Sequence, residues 1–312
     1  MELKKVILTG PTGAVGVSLI EEMMRQNIHV TAICRENSPH LDAIPQSNLV
    51  DVVECNLDHL KDLIGKLPKD YDVFYHFGWD GPWGPPRADL SLQTRNVLYS
   101  LDAVELAKDL GCKVFIGAGS QSECGHVDGV LHPDMPCNPD NGYGIGKLMA
   151  GQMTRLKCCE YGIRHEWVRI VSMYGPHDRT YTMVMSSILK MLKGERVQFT
   201  KGDQIWDYIY NKDAARAFRL VAESGRDGAI YLFGTGKPQR LKDYILMIRD
   251  AVNPNLEIGL GELDYYPNQV MHLEADISNL TADTGFVPQY SFEEGIRETV
   301  AWARERAEKA LG

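Results

Sequence analysis

Lys5-Val6-Ile7-Leu8-Thr9-Gly10-Pro11-Thr12-Gly13-Ala14-Val15-Gly16 begins apolar, breaks into three glycines spaced by three, and gives way to a helical pattern that continues to about Gln26. Such a run reads as a buried strand, and the G-x-x-G-x-x-G after it as the turn from that strand into a helix. Glycine lacks Cβ, so the backbone of this turn can approach a diphosphate closely. The first turn of the helix adds unpaired N–H groups and the positive end of its dipole. A tight strand-to-helix turn can also bind nothing. With a strand before and a helix after, the reading taken is a dinucleotide cradle formed by Gly10, Thr12, Gly13, Ala14, Val15 and Gly16.

The alternation repeats along the chain. Apolar strands are predicted at residues 30–33, 49–54, 72–77, 113–118 and 164–171, with long helices at 87–110 and 143–161. Beyond residue 172 the pattern loosens: helices are predicted at 182–193, 213–224, 241–251 and from 292 onward, with one further strand at 229–233. Alternating βα units make a parallel sheet with helices on both faces. The expected fold is therefore α/β, a Rossmann-type doubly wound parallel sheet over residues 1–172 with later contributions near 207–233. Residues 173–312 are expected to form mainly a smaller, C-terminal-weighted substrate lobe.

Composition narrows the function. A chain of 312 residues with 44% hydrophobic and 24% charged content can bury a large core. Its net charge of -9 and pI near 5.5 argue against nucleic acid or an anionic membrane as partner, since both select clustered basic surface. Seven cysteines without disulfide-like spacing point to reduced thiols and a cytoplasmic location, and nine scattered histidines offer no zinc-like spacing, so no metal is expected. The chain enters its first strand without a signal peptide, and no apolar run is long enough to span a bilayer.

In open parallel sheets, ligands lie beyond the carboxyl ends of the strands. The second strand ends in Cys34-Arg35-Glu36-Asn37-Ser38, where a dinucleotide fold meets the adenosine ribose. Arg35 beside Ser38 suits a 2′-phosphate and favours NADP, while Glu36 leaves NAD as the alternative. Asn56 and Leu57 after the third strand, Phe77, Gly78 and Trp79 at the end of the fourth, Asn96 in the next helix and Ile170 ending the sixth are further candidate cofactor contacts. Trp79 reads equally as core or as a wall of the cleft. His76, inside an apolar strand, reads as a buried, hydrogen-bonded histidine rather than a base. The loop from Asp80 to Pro86 is too rich in proline and glycine to be helical and is expected to rim the site.

Ser120 follows the fifth strand, and Tyr143 and Lys147 stand four residues apart on one helical face. A nearby ammonium favours a phenolate and lowers a tyrosine pKa from about 10, which suits proton exchange near neutral pH.

Taken in order, these residues resemble the extended short-chain dehydrogenase/reductase family, the NAD(P)-dependent epimerase/dehydratase group that acts largely on nucleotide sugars. The resemblance covers essentially the whole chain. It rests on Thr9-Gly10-x-x-Gly13-x-x-Gly16, Asn96, the trio Ser120, Tyr143 and Lys147, Arg169 through Tyr174-Gly175-Pro176, Asp276 through Gly285-Phe286-x-Pro288, and Phe292-Glu293-Glu294-Gly295. The family implies that Tyr143 exchanges a proton with a substrate oxygen while hydride moves to or from the nicotinamide. It also implies that Lys147 holds the nicotinamide ribose and depresses the tyrosine pKa, and that Ser120 hydrogen-bonds the carbonyl oxygen.

The departures from the family pattern narrow the reaction. Sugar-nucleotide 4,6-dehydratases carry an Asp-Glu pair where this chain has Gln121 and Ser122, so elimination of water is disfavoured. Enzymes resembling GDP-fucose synthase place a cysteine at the Ser122 position and a histidine like His177; only the histidine is present here. Trp206-Asp207 stands where diphosphate-binding relatives have Arg-Asp, removing a bidentate phosphate partner. Trp79, Ser122, Ser172, His177 and Trp206 are the candidate substrate contacts. The leading expectation is an NADP-dependent reductase of a keto-sugar, in pattern closest to reductases of nucleotide-linked 4-keto-6-deoxysugars, with Tyr143 as proton donor. The alternatives are an NAD-retaining nucleotide-sugar 4-epimerase and, from another class, a non-catalytic NADP-binding sensor or scaffold. Relatives often dimerise through the long helices after the fourth and fifth strands, so a homodimer is expected.

Overall fold

The computed structural model describes residues 1–309. The chain runs β1 (Lys5–Thr9), α1 (Ala14–Arg25), β2 (His29–Cys34), β3 (Val50–Glu54), β4 (Val73–His76), α2 (Leu90–Asp109), β5 (Val114–Ser120), β6 (Gly129–Leu131), α3 (Gly142–Tyr161) and β7 (Arg164–Ile170). It continues through β8 (Met173–Tyr174), α4 (Met183–Leu192), β9 (Val197–Phe199), β10 (Ile205–Trp206), β11 (Ile209–Tyr210), α5 (Asn211–Ser224), β12 (Ile230–Phe233) and β13 (Gln239–Arg240). The last elements are α6 (Leu241–Val252), β14 (Ile258–Leu260), β15 (His272–Ala275), α7 (Ser278–Thr284) and α8 (Phe292–Lys309).

Seven parallel strands form the main sheet in the order β3-β2-β1-β4-β5-β7-β12, the doubly wound α/β architecture expected. Its central strands β1, β4 and β5 are apolar on both faces, as a sheet covered by helices on both sides requires. Leu8, Tyr75 and Ile116 pack with Leu19 and Ile20 of α1 and Phe218 and Val221 of α5. The intervening Ile7, Phe74 and Phe115 pack on the other side with Val104 and Ala107 of α2 and Cys158 of α3. Burial of each such large side chain stabilises the fold by about 1.5–3 kcal/mol. Strand order reverses between β1 and β4, and a crevice opens there at the carboxyl ends of the strands.

Most element boundaries differ from the sequence reading by a residue or two, and two of the shifts have clear local reasons. The helix expected from residue 87 starts at Leu90: Pro85–Ala88 forms a single 3₁₀ turn that begins in the last two residues of the loop expected to be non-helical, and Asp89 caps α2 by accepting the Leu92 N–H at 3.0 Å. The fifth strand runs two residues further than expected because β7 continues to pair with it through Ser120 and Ile170.

A second body of structure packs α4, α6 and α8 around Tyr174, Met185, Ile188, Tyr244, Ile248, Phe292 and Ile296. A four-stranded sheet, β13-β10-β15-β6, bridges it to the main sheet. These strands are two to four residues long and have no readable period, so the sequence did not announce them. Asp207 is the clamp at this junction: its buried carboxylate accepts the N–H of Thr235 at 2.8 Å, of Gly236 at 2.9 Å and of Ala275 at 3.2 Å.

Candidate active site

The crevice at the strand ends is a cleft of about 540 Å³. Its floor at one end is the glycine turn. Gly10 has φ +71°, and a Cβ there would lie 2.9 Å from Gly78 N, so the turn and the end of β4 touch only because residue 10 is glycine. A Cβ on Gly16 would lie 2.3 Å from Gly10 O, which keeps α1 tight against the turn. On Gly13, by contrast, a Cβ would meet nothing nearer than Gly10 O at 3.8 Å, so this backbone faces open cleft. No side chain caps α1. An open glycine backbone beneath an uncapped helix start is the donor set a dinucleotide diphosphate requires, and these residues fit that group.

Gly10, Thr12, Gly13, Ala14, Val15, Gly16, Arg35, Leu57, Phe77, Gly78, Trp79, Tyr143, Lys147 and Ile170, all candidates from the sequence, line this cleft. Ser38, Asn56 and Asn96 do not. Ser38 is buried, its hydroxyl engaged by Cys34 and by the His40 N–H, which leaves Arg35 without the serine partner expected of a 2′-phosphate site. Asn56 accepts the Glu36 N–H at 3.2 Å, and Asn96 holds both the N–H and the C=O of Asp80 at 2.8 Å, so each fixes a loop that borders the cleft. His76 is buried between Thr9 Oγ1 and Ser100 Oγ, both at 3.0 Å, and burial pushes its pKa down to about 3; it is a neutral structural histidine.

At the other end stand the three residues of the catalytic pattern. Asn141 caps α3 through the Gly144 N–H at 2.9 Å and thereby aims its first turn into the cleft. Lys147 is buried, donates to Ala118 O at 2.7 Å and lies 3.8 Å from the centre of the Trp79 ring. Trp79 is thus a wall of the cleft, its indole N–H held by Gln93 at 2.8 Å. Burial pushes the Lys147 pKa down to about 7. Tyr143 is half-buried, and burial pushes its pKa up to about 12; a hydrogen bond with Ser120 and the charge of Arg87 act in the opposite direction. The expected depression by Lys147 is therefore not what sets the phenol in this cleft. Desolvation dominates, and the Lys147 ammonium is itself partly discharged by burial.

Ser120 lies at the lip of the cleft, outside its lining, where β5 turns into a short 3₁₀ helix, and its hydroxyl accepts the Ser122 N–H at 3.2 Å. Glu123 holds this turn. Fully buried, it accepts the Ser120 N–H at 2.8 Å, Trp167 Nε1 at 2.9 Å and Arg169 Nε at 2.8 Å. Its carboxylate is therefore committed to structure.

Of the substrate candidates, Trp79 and His177 line the cleft, with the His177 ring 4.9 Å from that of Trp302 in α8. Ser122, Ser172 and Trp206 lie outside its lining. Ser122 is buried under Arg87, whose Nη2 donates to its hydroxyl at 2.7 Å, and Trp206 Nε1 donates to Ser172 at 2.9 Å. Asp80 to Trp83, from the loop expected to rim the site, line the cleft; the sequence reading missed Asp178, Arg179 and Tyr181, which also line it. Trp83 and Tyr181 meet across it with ring centres 5.2 Å apart. Asp178 and Arg179 continue the Tyr174-Gly175-Pro176-His177 motif, so the motif itself pointed to them; the reach of Trp83 and Arg87 depends on how their loop folds back. Among the described residues, no group of three or more His, Cys, Asp or Glu is placed to hold a metal ion, and no helix is long and apolar enough to cross a membrane.

A doubly wound sheet with a glycine cradle at its switch point and a Ser-Tyr-Lys trio beside it defines an NAD(P)-dependent oxidoreductase of the short-chain dehydrogenase/reductase type. Residues 6–234 match the family described as the NAD dependent epimerase/dehydratase family, and the chain belongs to it. Among curated relatives, CDP-abequose synthase of Salmonella typhimurium is 24% identical over 94% of this chain and 96% of its own length. A dTDP-glucose 4,6-dehydratase of Escherichia coli is 28% identical over 53% of this chain, spanning 47% of that relative. Among solved structures, UDP-N-acetylglucosamine 4-epimerase of Methanobrevibacter ruminantium, in complex with UDP-N-acetylmuramic acid, is 25% identical with a TM-score of 0.84 over 98% of this chain and 100% of its own. UDP-glucose 4-epimerase of Thermotoga maritima shares the fold at 19% identity and a TM-score of 0.84, over 97% of this chain and 99% of its own.

Proposed function

We propose that the protein reduces the keto group of a nucleotide-linked sugar, a 4-keto-6-deoxysugar, with NADPH as the coenzyme and Tyr143 as the proton donor. The observation that carries this reading is the turn after β5: Gln121 and Ser122 follow Ser120, and the adjacent Glu123 is locked to Arg169 and Trp167, so this turn offers no free carboxylate pair for elimination of water. Similarity over nearly the full length to a synthase of a CDP-linked sugar supports it. When bound, the nicotinamide coenzyme supplies the hydride. The glycine turn and the start of α1 would hold its diphosphate, Arg35 its adenosine end, and Tyr143 and Lys147 its ribose beside the nicotinamide.

The chain's own residues then manage the substrate oxygen. A phenol whose pKa is about 12 is protonated at neutral pH and can deliver its proton as negative charge develops on the carbonyl oxygen. Ser120, whose oxygen accepts from Ser122 N–H, has one O–H, hydrogen-bonded to Tyr143 here, which can turn to that same charge as it develops. Arg35 supports NADP, although Ser38 is turned away. We place the nucleotide sugar between the strand ends and the second lobe, against Trp83, Asp178, Arg179 and Tyr181. Exposed Ile145, Met149 and Leu156 on α3, with Leu98 on α2, form the apolar face on which a homodimer would close.

A screen of NADH and NADPH oxidation against nucleotide 4-keto-6-deoxysugars tests the reading. Consumption of NADPH with one of them is expected. Purified protein that carries tightly bound NAD and consumes neither coenzyme would instead support a 4-epimerase, the second reading, which the likeness to the archaeal 4-epimerase favours.

A further inference from the structure

Arg87 was singled out by no motif, yet it reaches the centre of the catalytic constellation. It sits in the 3₁₀ turn Pro85–Ala88, where two prolines stiffen the backbone. Its guanidinium carbon lies 4.6 Å from the centre of the Tyr143 ring, and its Nη2 donates to Ser122 Oγ at 2.7 Å. Among the described residues, no carboxylate lies within ion-pair distance of it.

We infer that Arg87 is a positioning residue for the proton step: its guanidinium is the permanent positive charge that biases the Tyr143 hydroxyl, and its hold on Ser122 sets the turn that carries Ser120. The inference rests on reading Tyr143 as the proton donor.

Every group facing the phenol bears on the argument. Lys147, on the same helix, stays 5.9 Å from the ring centre, bonded to Ala118 O, and burial takes it down to about 7, so near neutral pH its charge is partial. Glu123, on the turn after β5, opposes a phenolate, but its charge is matched by Arg169. Ser120 contributes a hydrogen bond, Trp79 an edge-on aromatic contact at 6.1 Å, and Tyr181 a neutral phenol from the opposite wall. An arginine keeps its charge at any pH an enzyme meets. Of the cations here, only Arg87 is at once close to the ring and permanently charged. A guanidinium over a phenol face, 4.6 Å from the ring centre, stabilises the phenolate, and so makes Tyr143 a stronger acid towards substrate than its burial alone would permit.

The test reads Tyr143 directly and needs no substrate. Protein made with 3-fluorotyrosine, whose fluorine brings the phenol titration into the range in which the fold is kept, is followed by ¹⁹F NMR against pH. The Tyr143 line is identified by its loss in Tyr143→Phe. In Arg87→Gln the Tyr143 midpoint should rise by about one pH unit, the low end of the range for an opposite charge at this distance because Arg87 is half-exposed. Arg87→Lys, which keeps the charge, should fall between Arg87→Gln and the wild type. Affinity for NADPH, followed by its fluorescence, should change less than about twofold, since Arg87 is not among the cradle residues. An unchanged Tyr143 midpoint in Arg87→Gln overturns the inference, and so does an Arg87→Lys midpoint equal to that of Arg87→Gln, which would assign the effect to packing. Full activity in Tyr143→Phe would instead defeat the proton-donor reading, whatever the Arg87 variants show.

Discussion

Glu123 is the residue whose replacement most directly tests how this site is held. Its buried carboxylate receives three donors, the Ser120 N–H, the Trp167 indole and Arg169 Nε, at 2.8–2.9 Å. Glu123→Gln keeps the size but removes the charge and turns one acceptor into a donor. Arg169, only 3% exposed, is then a buried cation without a counter-charge. Breaking one side of such a pair costs about 3–5 kcal/mol, and for a chain of this size each kcal/mol lowers Tm by about 2 °C. A fall in Tm of about 6–10 °C is expected, with kcat reduced because the amide that seats Ser120 loses its anchor. Removing both charges in Glu123→Gln/Arg169→Met should recover much of the stability but not the activity, because the desolvation penalty disappears while the seat of Ser120 stays altered. Thermal denaturation and steady-state turnover of the two variants measure this. A single variant within about 1 kcal/mol of the wild type, or a double variant less stable than the single, would refute the account of a charge pair holding the turn.

Tyr143→Phe removes the proton donor and one contact with the ribose but leaves the glycine cradle and Lys147, so turnover should fall about 10²–10⁴-fold while NADPH affinity, read by fluorescence titration, falls by no more than about tenfold, the worth of one hydrogen bond. Stability should also depend on two buried histidines. His76 and His165 are held neutral, each with its pKa pushed down to about 3 by burial, whereas in the unfolded chain each protonates near 6.5. Below pH 6.5 the unfolded state therefore binds protons that the folded state refuses. The stability these groups supply is present above pH 6.5 and is lost as pH falls, by about 1.4 kcal/mol per pH unit for each histidine. Denaturant midpoints at pH 7, 6 and 5 should show this contribution, and His165→Gln should make the decline shallower; a parallel slope in that variant would show that other groups carry the acid sensitivity.

The glycine run, the apolar strands and the Tyr143-Lys147 spacing were legible because each is a local matter. Period, turn chemistry and helical register are written in neighbouring residues, and they predicted a doubly wound sheet with a dinucleotide cradle. Its place at the end of the fifth strand pointed to Ser120, and family resemblance added the roles of the trio. The electrostatics of the trio were not legible. That Lys147 and Tyr143 share a helical face follows from their spacing, but the influence of one on the other depends on how far each is taken from water, and burial is decided by elements distant in sequence.

Contacts across long separations followed the same rule. Ser122, Ser172 and Trp206 were reasonable substrate contacts by position, yet Arg87 takes up Ser122 and the other two take up each other. Glu123 is one residue from Ser122 in sequence, and only the packing of β7 against β5 brings Arg169 and Trp167 to it and removes it from chemistry. Sequence by itself determined which backbone could cradle a diphosphate and which side chains could exchange a proton, since both follow from residue type and short spacing. Tertiary structure alone decided which charges those side chains feel, because a charge acts through space and through the amount of water left between groups, and neither is encoded at any single position.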